Sequence, residues 1–93
     1  MVTKVFDKTN KYWENSTEYN MTFLTCQEKY HQELLTINGF VNFLDLLVRL
    51  GFKPTTDEIQ KYKRMYWCAG DDLRFNIEWN GEGITLNFNV EEK

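Results

Sequence analysis

Between Leu73 and Val90 the chain alternates strictly between apolar and polar residues. Leu73, Phe75, Ile77 and Trp79 are interleaved with Arg74, Asn76 and Glu78; after Asn80-Gly81, Ile84, Leu86, Phe88 and Val90 are interleaved with Thr85, Asn87 and Asn89. A two-residue period on both sides of an Asn-Gly turn describes a β-hairpin with one buried face and one solvated face. Such a hairpin needs other elements to cover its apolar face.

Upstream, the period changes. From Glu18 to Ile37, Phe23, Cys26 or Gln27, Tyr30, Leu34 and Ile37 recur at steps of three and four, which predicts a helix with Glu28, Lys29, Gln32 and Glu33 towards water. Asn15 with Glu18, or else Asn20, is the expected start, and Asn38-Gly39 the stop. The second helix, 42–50, is the best punctuated. Asn42 is placed to cap it with Asp45 three residues on, and Val41 precedes the cap. Phe43, Leu46, Leu47 and Leu50 form its apolar stripe, and Gly51-Phe52 carries a Schellman-type ending. Lys53-Pro54 forbids continuation, and Thr55 with Glu58 predicts a capped helical turn over 56–62 carrying Ile59 and Tyr62.

Residues 64–68, 73–79 and 84–90 then read as three strands. The predicted class is α+β, with two antiparallel helices on one face of a three-stranded antiparallel β-meander. Residues 1–17 form an arm with neither period. Val2, Val5, Phe6, Tyr12 and Trp13 make it too apolar to leave free, so it either adds a strand or lies across the core. The alternative use of Tyr12 and Trp13 is as a partner-binding patch.

Ninety-three residues suit one domain, and 15 aromatics let a chain of this size build a core. A net charge of −3 lacks the basic footprint of a protein that grips a phosphate backbone. No apolar run approaches the roughly 20 residues that span a bilayer, and Met1 to Lys8 holds no signal-peptide core. A bacterial cytoplasm is the expected location, which makes Asn15-Ser16-Thr17 and Asn20-Met21-Thr22 chance glycosylation triplets. Cys26 and Cys68 are then expected to be reduced.

Cys26 and His31, the single histidine, lie five apart on one helix and diverge by roughly 140°, which suits a small core thiol and a boundary imidazole better than a nucleophile and its base. Scattered carboxylates with one histidine do not form a metal-ligand set. Asp57-Glu58, Asp71-Asp72 and Glu91-Glu92 fall in turns or at the terminus, where solvent keeps both members ionised. Gly70, Gly81 and Gly83 lack phosphate-loop spacing. Lys61, Lys63, Arg64 and Arg74 near Tyr62, Tyr66 and Trp67 form the one basic-aromatic mixture, and Asp71, Asp72 and Glu78 blunt its field. No cofactor is expected. What is left is the polar sheet face and the sheet's edge, surfaces suited to a protein partner.

From Phe23 to Val90 the chain resembles a family of small, functionally uncharacterised proteins encoded by phages and mobile elements of Gram-positive bacteria. The similarity rests on Tyr30, Leu34, Leu35, Asn38-Gly39-Phe40, Phe43-Leu44, Leu50-Gly51-Phe52, Pro54-Thr55, Tyr66-Trp67 and Ile84 through Val90. It departs where Met65-Tyr66-Trp67-Cys68 replaces the family's Gly-Trp-x-Tyr strand and where an insertion before the last strand is missing. The resemblance implies a phage or prophage product and carries over no catalytic residue.

The expected function is therefore non-enzymatic: binding a host protein, most concretely as an anti-CRISPR-like inhibitor of a bacterial defence system acting on a nucleic-acid-processing complex. A phage structural or assembly protein is the competing class. The candidate contact residues are Asp71, Asp72, Glu78 and Glu82 at the turns, Arg74, Asn76 and Asn87 on the polar face, and Trp13 on the arm.

Overall fold

The computed structural model describes residues 1–93. In chain order its elements are β1 (Val2–Phe6), α1 (Thr17–Asn38), β2 (Phe40–Asn42), α2 (Phe43–Arg49), α3 (Thr56–Tyr62), β3 (Met65–Cys68), β4 (Ile77–Trp79), β5 (Ile84–Phe88) and β6 (Glu91–Glu92). The class is α+β, with three helices and two antiparallel sheets ordered β1-β5-β4 and β2-β3-β6.

The hairpin and the arm meet expectation. Trp79 faces Ile84 across the 80–83 turn, and the arm supplies β1, with Val2 opposite Phe88 and Phe6 opposite Ile84. The single meander is replaced by two sheets. The strand predicted at 64–68 pairs with β2 and β6 instead of with the hairpin. Two local causes separate it. Asn76 adopts a left-handed conformation (φ 47°), which asparagine tolerates better than most residues and which delays the strand predicted at 73–79 until Ile77. Asn89 then pins the chain as it leaves β5: its Oδ1 accepts from Trp67 Nε1 at 3.0 Å and from the Arg74 amide at 3.1 Å, and its Nδ2 donates to the Asp72 carbonyl. Past that pin, the chain crosses to the second sheet and pairs Glu91 with Tyr66.

Helix α2 forms as its punctuation directs. Asn42 Oδ1 accepts from the amides of Leu44 and Asp45, Gly51 at φ 94° donates to the Val48 carbonyl, and Phe52 donates to Leu47, the two bonds of a Schellman ending. Gly51 is required twice over, because a β-carbon there would also collide with the side chains of Asn10 and Tyr12. Helix α3 carries the complete Thr55–Glu58 capping box. The apolar face of α2 is fully buried. Phe43 stands edge-on to Tyr62, Trp67 and Phe88 at 5.3, 6.0 and 5.1 Å, and Phe88 to Phe75 at 5.3 Å, so one aromatic cluster joins both sheets.

Helix α1 differs from expectation in which face it buries. Its cap is Ser16, whose Oγ accepts from the Tyr19 amide, and neither Asn15 nor Asn20. The buried residues are Asn20, Leu24, His31 and Leu35. Tyr30 and Ile37 are 43 % and 76 % exposed, Cys26 is exposed, and Phe23 and Leu34 lie at the margin of the core. The stripe is rotated because polar side chains on the inward face each find a backbone partner. Asn20 exchanges two hydrogen bonds with the Glu14 main chain (3.0 and 2.8 Å), Glu28 Oε2 accepts from the Phe75 amide (2.8 Å), and Gln32 donates to the Leu73 carbonyl (2.9 Å). Satisfied in this way, polar groups bury at little cost.

Candidate functional site

The outer face of the first sheet is the surface that most resembles the polar face read from the sequence. The pairing sets Val5, Thr85 and Glu78 in one row and Thr3 beside Asn87 in the next. Thr3 Oγ1 donates to Asn87 Oδ1 at 2.8 Å, and Asn80 Nδ2 donates to Thr85 Oγ1 at 2.9 Å. Asn87 therefore sits on this face and is half-buried, whereas Asn76 stands exposed at its margin on the left-handed kink.

The acidic candidates fall into two groups. Asp71 Oδ2 accepts from the Cys68 amide at 2.7 Å and meets Lys93 Nζ at 3.2 Å. That amide, and then the ammonium, hold its carboxyl below the usual aspartate range, while the Lys93 ammonium is raised by the same contact. Asp72 is paired with Arg74 Nε at 2.9 Å. These three residues shape the β3–β4 connection around Asn89. Glu78 and Glu82 lie at the other end of the hairpin, separated from the first group by the five residues of β5 at roughly 3.3 Å each. Both are exposed, and neither enters any of the three ion pairs.

Trp13, the candidate on the arm, is docked: its ring lies 5.7 Å from Phe6 and it packs against the core. The residue that sequence reasoning passed over is Trp79. Alternation assigns it to the apolar face with Ile77, yet β4 is an edge strand and ends there, leaving the indole 49 % exposed between Glu78 and the 80–83 turn. The signal was present in the sequence, since Trp79 is the last apolar residue before the turn, where a sheet has least to cover it. Two hydrogen bonds close the turn. The Asn80 amide donates to the Gly83 carbonyl at 3.0 Å, and the Gly83 amide donates to Asn80 Oδ1 at 2.8 Å.

The other constellations resolve as follows. Cys26 and His31 exchange their expected settings: the thiol is exposed and the imidazole is buried. His31 Nδ1 lies 2.7 Å from the Gln27 carbonyl, an acceptor, so Nδ1 carries the proton, and Nε2 is buried without a partner. Burial pushes the imidazole's pKa down, the bond to Gln27 acts against this, and the nearby Arg49 charge adds to the lowering. Of the basic-aromatic mixture, Tyr62 and Trp67 are core residues and Arg74 is paired. No group of three or more His, Cys, Asp or Glu side chains is placed to hold a metal ion. No helix is long and apolar enough to cross a membrane.

Comparison with protein-family models finds no match, and comparisons with curated proteins and with solved structures find none at a significant level.

Proposed function

We propose that this chain acts by binding another protein through the tip of its β4–β5 hairpin. The observation that carries the reading is Trp79: a half-exposed indole at the end of β4, beside a turn closed by two hydrogen bonds and flanked by the unpaired carboxylates of Glu78 and Glu82. Tryptophan is the side chain most enriched among residues that dominate binding energy, and a rim of charge sets partner choice and association rate. The carboxylates suit a partner with a basic surface. Together with the resemblance to phage-encoded proteins, this supports an inhibitor of a bacterial defence system, whose nucleic-acid channel offers such a surface. Asp71 and Asp72 contribute less than Glu78 and Glu82, since Arg74 and Lys93 already neutralise them.

The test is twofold. The purified protein is titrated into DNA-cleavage reactions of CRISPR effectors and restriction enzymes, and the wild type is compared with Trp79→Ala and with Glu78→Lys plus Glu82→Lys. Inhibition by the wild type, weakened at least tenfold by Trp79→Ala, is the expected outcome. Cleavage unaffected by the wild type in every system would remove the anti-defence reading. Inhibition undiminished in both variants would move the site elsewhere.

A further inference from the structure

The edge of the first sheet opposite Trp79 has a different character. β1 pairs only with β5, so along its other edge the N–H and C=O groups of alternate residues have no partner strand. A recess of about 440 Å³ runs beside it. Thr3, Lys4 and Val5 all line this recess although their side chains alternate between the two faces of the sheet, so it follows the strand's edge and not one face. Gly51, Phe52 and Lys53, just past α2, and Thr9, Asn10 and Lys11 on the arm contribute the rest of its wall.

The wall is held in place. Asn10 Nδ2 donates to the Leu50 carbonyl at 3.0 Å, its Oδ1 accepts from the Tyr12 amide at 2.8 Å, and Gly51 leaves room for that side chain. Phe52 stands edge-on to Phe6 at 6.4 Å. Lys4 Nζ is already committed: it donates to Glu58 Oε2 at 2.7 Å and lies 5.5 Å from the centre of the Phe52 ring. Lys11 and Lys53 enter no ion pair, and no carboxylate lines the recess. An acidic chain thus presents a locally basic groove beside an unpaired strand.

We infer that the free edge of β1 is a docking site for an extended acidic peptide of a partner protein, added as a further strand. Main-chain hydrogen bonds to the free edge supply register, and Lys11 and Lys53 select acidic side chains. The volume lies within the range of ligand sites, roughly 300–1,000 Å³. The proposal stands apart from the hairpin tip, because the two surfaces occupy opposite edges of one sheet and share no residue.

The probe is a fluorescein-labelled seven-residue peptide of alternating glutamate and valine, followed by anisotropy and by amide chemical shifts of the protein. The expected result is saturable binding with shifts confined to residues 2–6, 9–11 and 51–53. Affinity should fall at least tenfold in Lys11→Glu plus Lys53→Glu and at least tenfold for the same peptide N-methylated at alternate residues. A lysine-for-glutamate peptide should bind at least tenfold more weakly. Both substituted lysines are exposed, and an unchanged urea midpoint confirms that the variant folds.

Absence of saturable binding would overturn the proposal and leave the lysines as guards against edge-to-edge aggregation. Equal binding of the basic peptide would overturn it too. Concentration-dependent self-association in sedimentation, producing the same shifts without peptide, would assign the edge to β4 of a second copy instead.

Discussion

Helices α2 and α1 present opposite relations between local sequence and final packing. α2 is seven residues long and takes its start from Asn42, its end from Gly51 and its buried face from Phe43, Leu46 and Leu47, all as its own sequence specifies. α1 is 22 residues long and mostly surface, and it turns inward a face that contains Asn20, Glu28, His31 and Gln32 while leaving Tyr30 and Ile37 in water. A short helix surrounded on its apolar side has one face it can bury. A long helix on the margin has several, and the choice falls to whichever tertiary hydrogen bonds can be made. Periodicity measures apolar spacing and is blind to a buried amide that has found a main-chain partner.

The largest predicted effect sharpens the α2 side of this contrast. Phe43 touches both sheets through Trp67 and Phe88 and touches α3 through Tyr62. Phe43→Ala should cost about 3–5 kcal/mol, the usual range for deleting a buried ring. For a domain whose total stability is of the order of 5–15 kcal/mol, much of the margin is removed. Urea denaturation followed by tryptophan fluorescence should show the loss as a lower midpoint. A cost below about 1 kcal/mol would mean that the aromatic cluster does not join the sheets.

The second effect is an attempt to break the α1 side. Asn20→Ala removes both hydrogen bonds to the Glu14 main chain and strands those groups at the arm–helix junction, which should cost about 2–3 kcal/mol. Ile37→Ser, on the face that sequence spacing marks as apolar, should change stability by no more than about 0.5 kcal/mol. If the order were reversed, so that the isoleucine mattered more than the asparagine, α1 would have to present the face its periodicity suggests. The same chemical denaturation series decides between the two orders.

These two helices also indicate how much of the molecule could be read in advance. The hairpin, the capped helices, the α+β class and the arm's docking follow from signals spread over a few residues each, such as Asn80-Gly81, Thr55 with Glu58, and Leu50-Gly51-Phe52. The division into two sheets does not. It depends on a left-handed Asn76, on Asn89 bonding to Trp67 and Arg74 at once, and on the three-residue β2, too short to declare itself. Of the candidate surface, the outward placing of Glu78 and Asn87 was legible from alternation, and that of Glu82 from its place in the turn. Trp79 was legible only from its place directly before the turn, because alternation gives a side chain's direction and does not give where the covering layer ends. The lysine-lined groove was invisible for a related reason: Lys4, Lys11 and Lys53 converge only once β1, the arm and the end of α2 are in place.

The smallest effect probes the most unusual member of the buried face of α1. His31 is held neutral by burial, with its proton on Nδ1 and its pKa below the ordinary histidine value. In the unfolded chain the imidazole titrates near about 6.5, so below that pH the unfolded state binds a proton that the folded state does not. Stability should therefore fall as pH drops below about 6.5 and stop falling once the folded imidazole also protonates. For one proton the slope cannot exceed about 1.4 kcal/mol per pH unit. The charged groups with lowered pKa elsewhere act in a lower window. Asp7 is held down chiefly by Thr9, Glu58 chiefly by Lys4, and Asp71 chiefly by the Cys68 amide, and each loses its contribution only as pH falls through the carboxylate range. Urea midpoints at pH 7.5 and 5.5 should thus differ for the wild type and converge for His31→Gln, whose side chain carries no charge at either pH. A wild-type midpoint that is flat across this interval would mean the imidazole is solvated, and with it the inward face assigned to α1 would have to be abandoned.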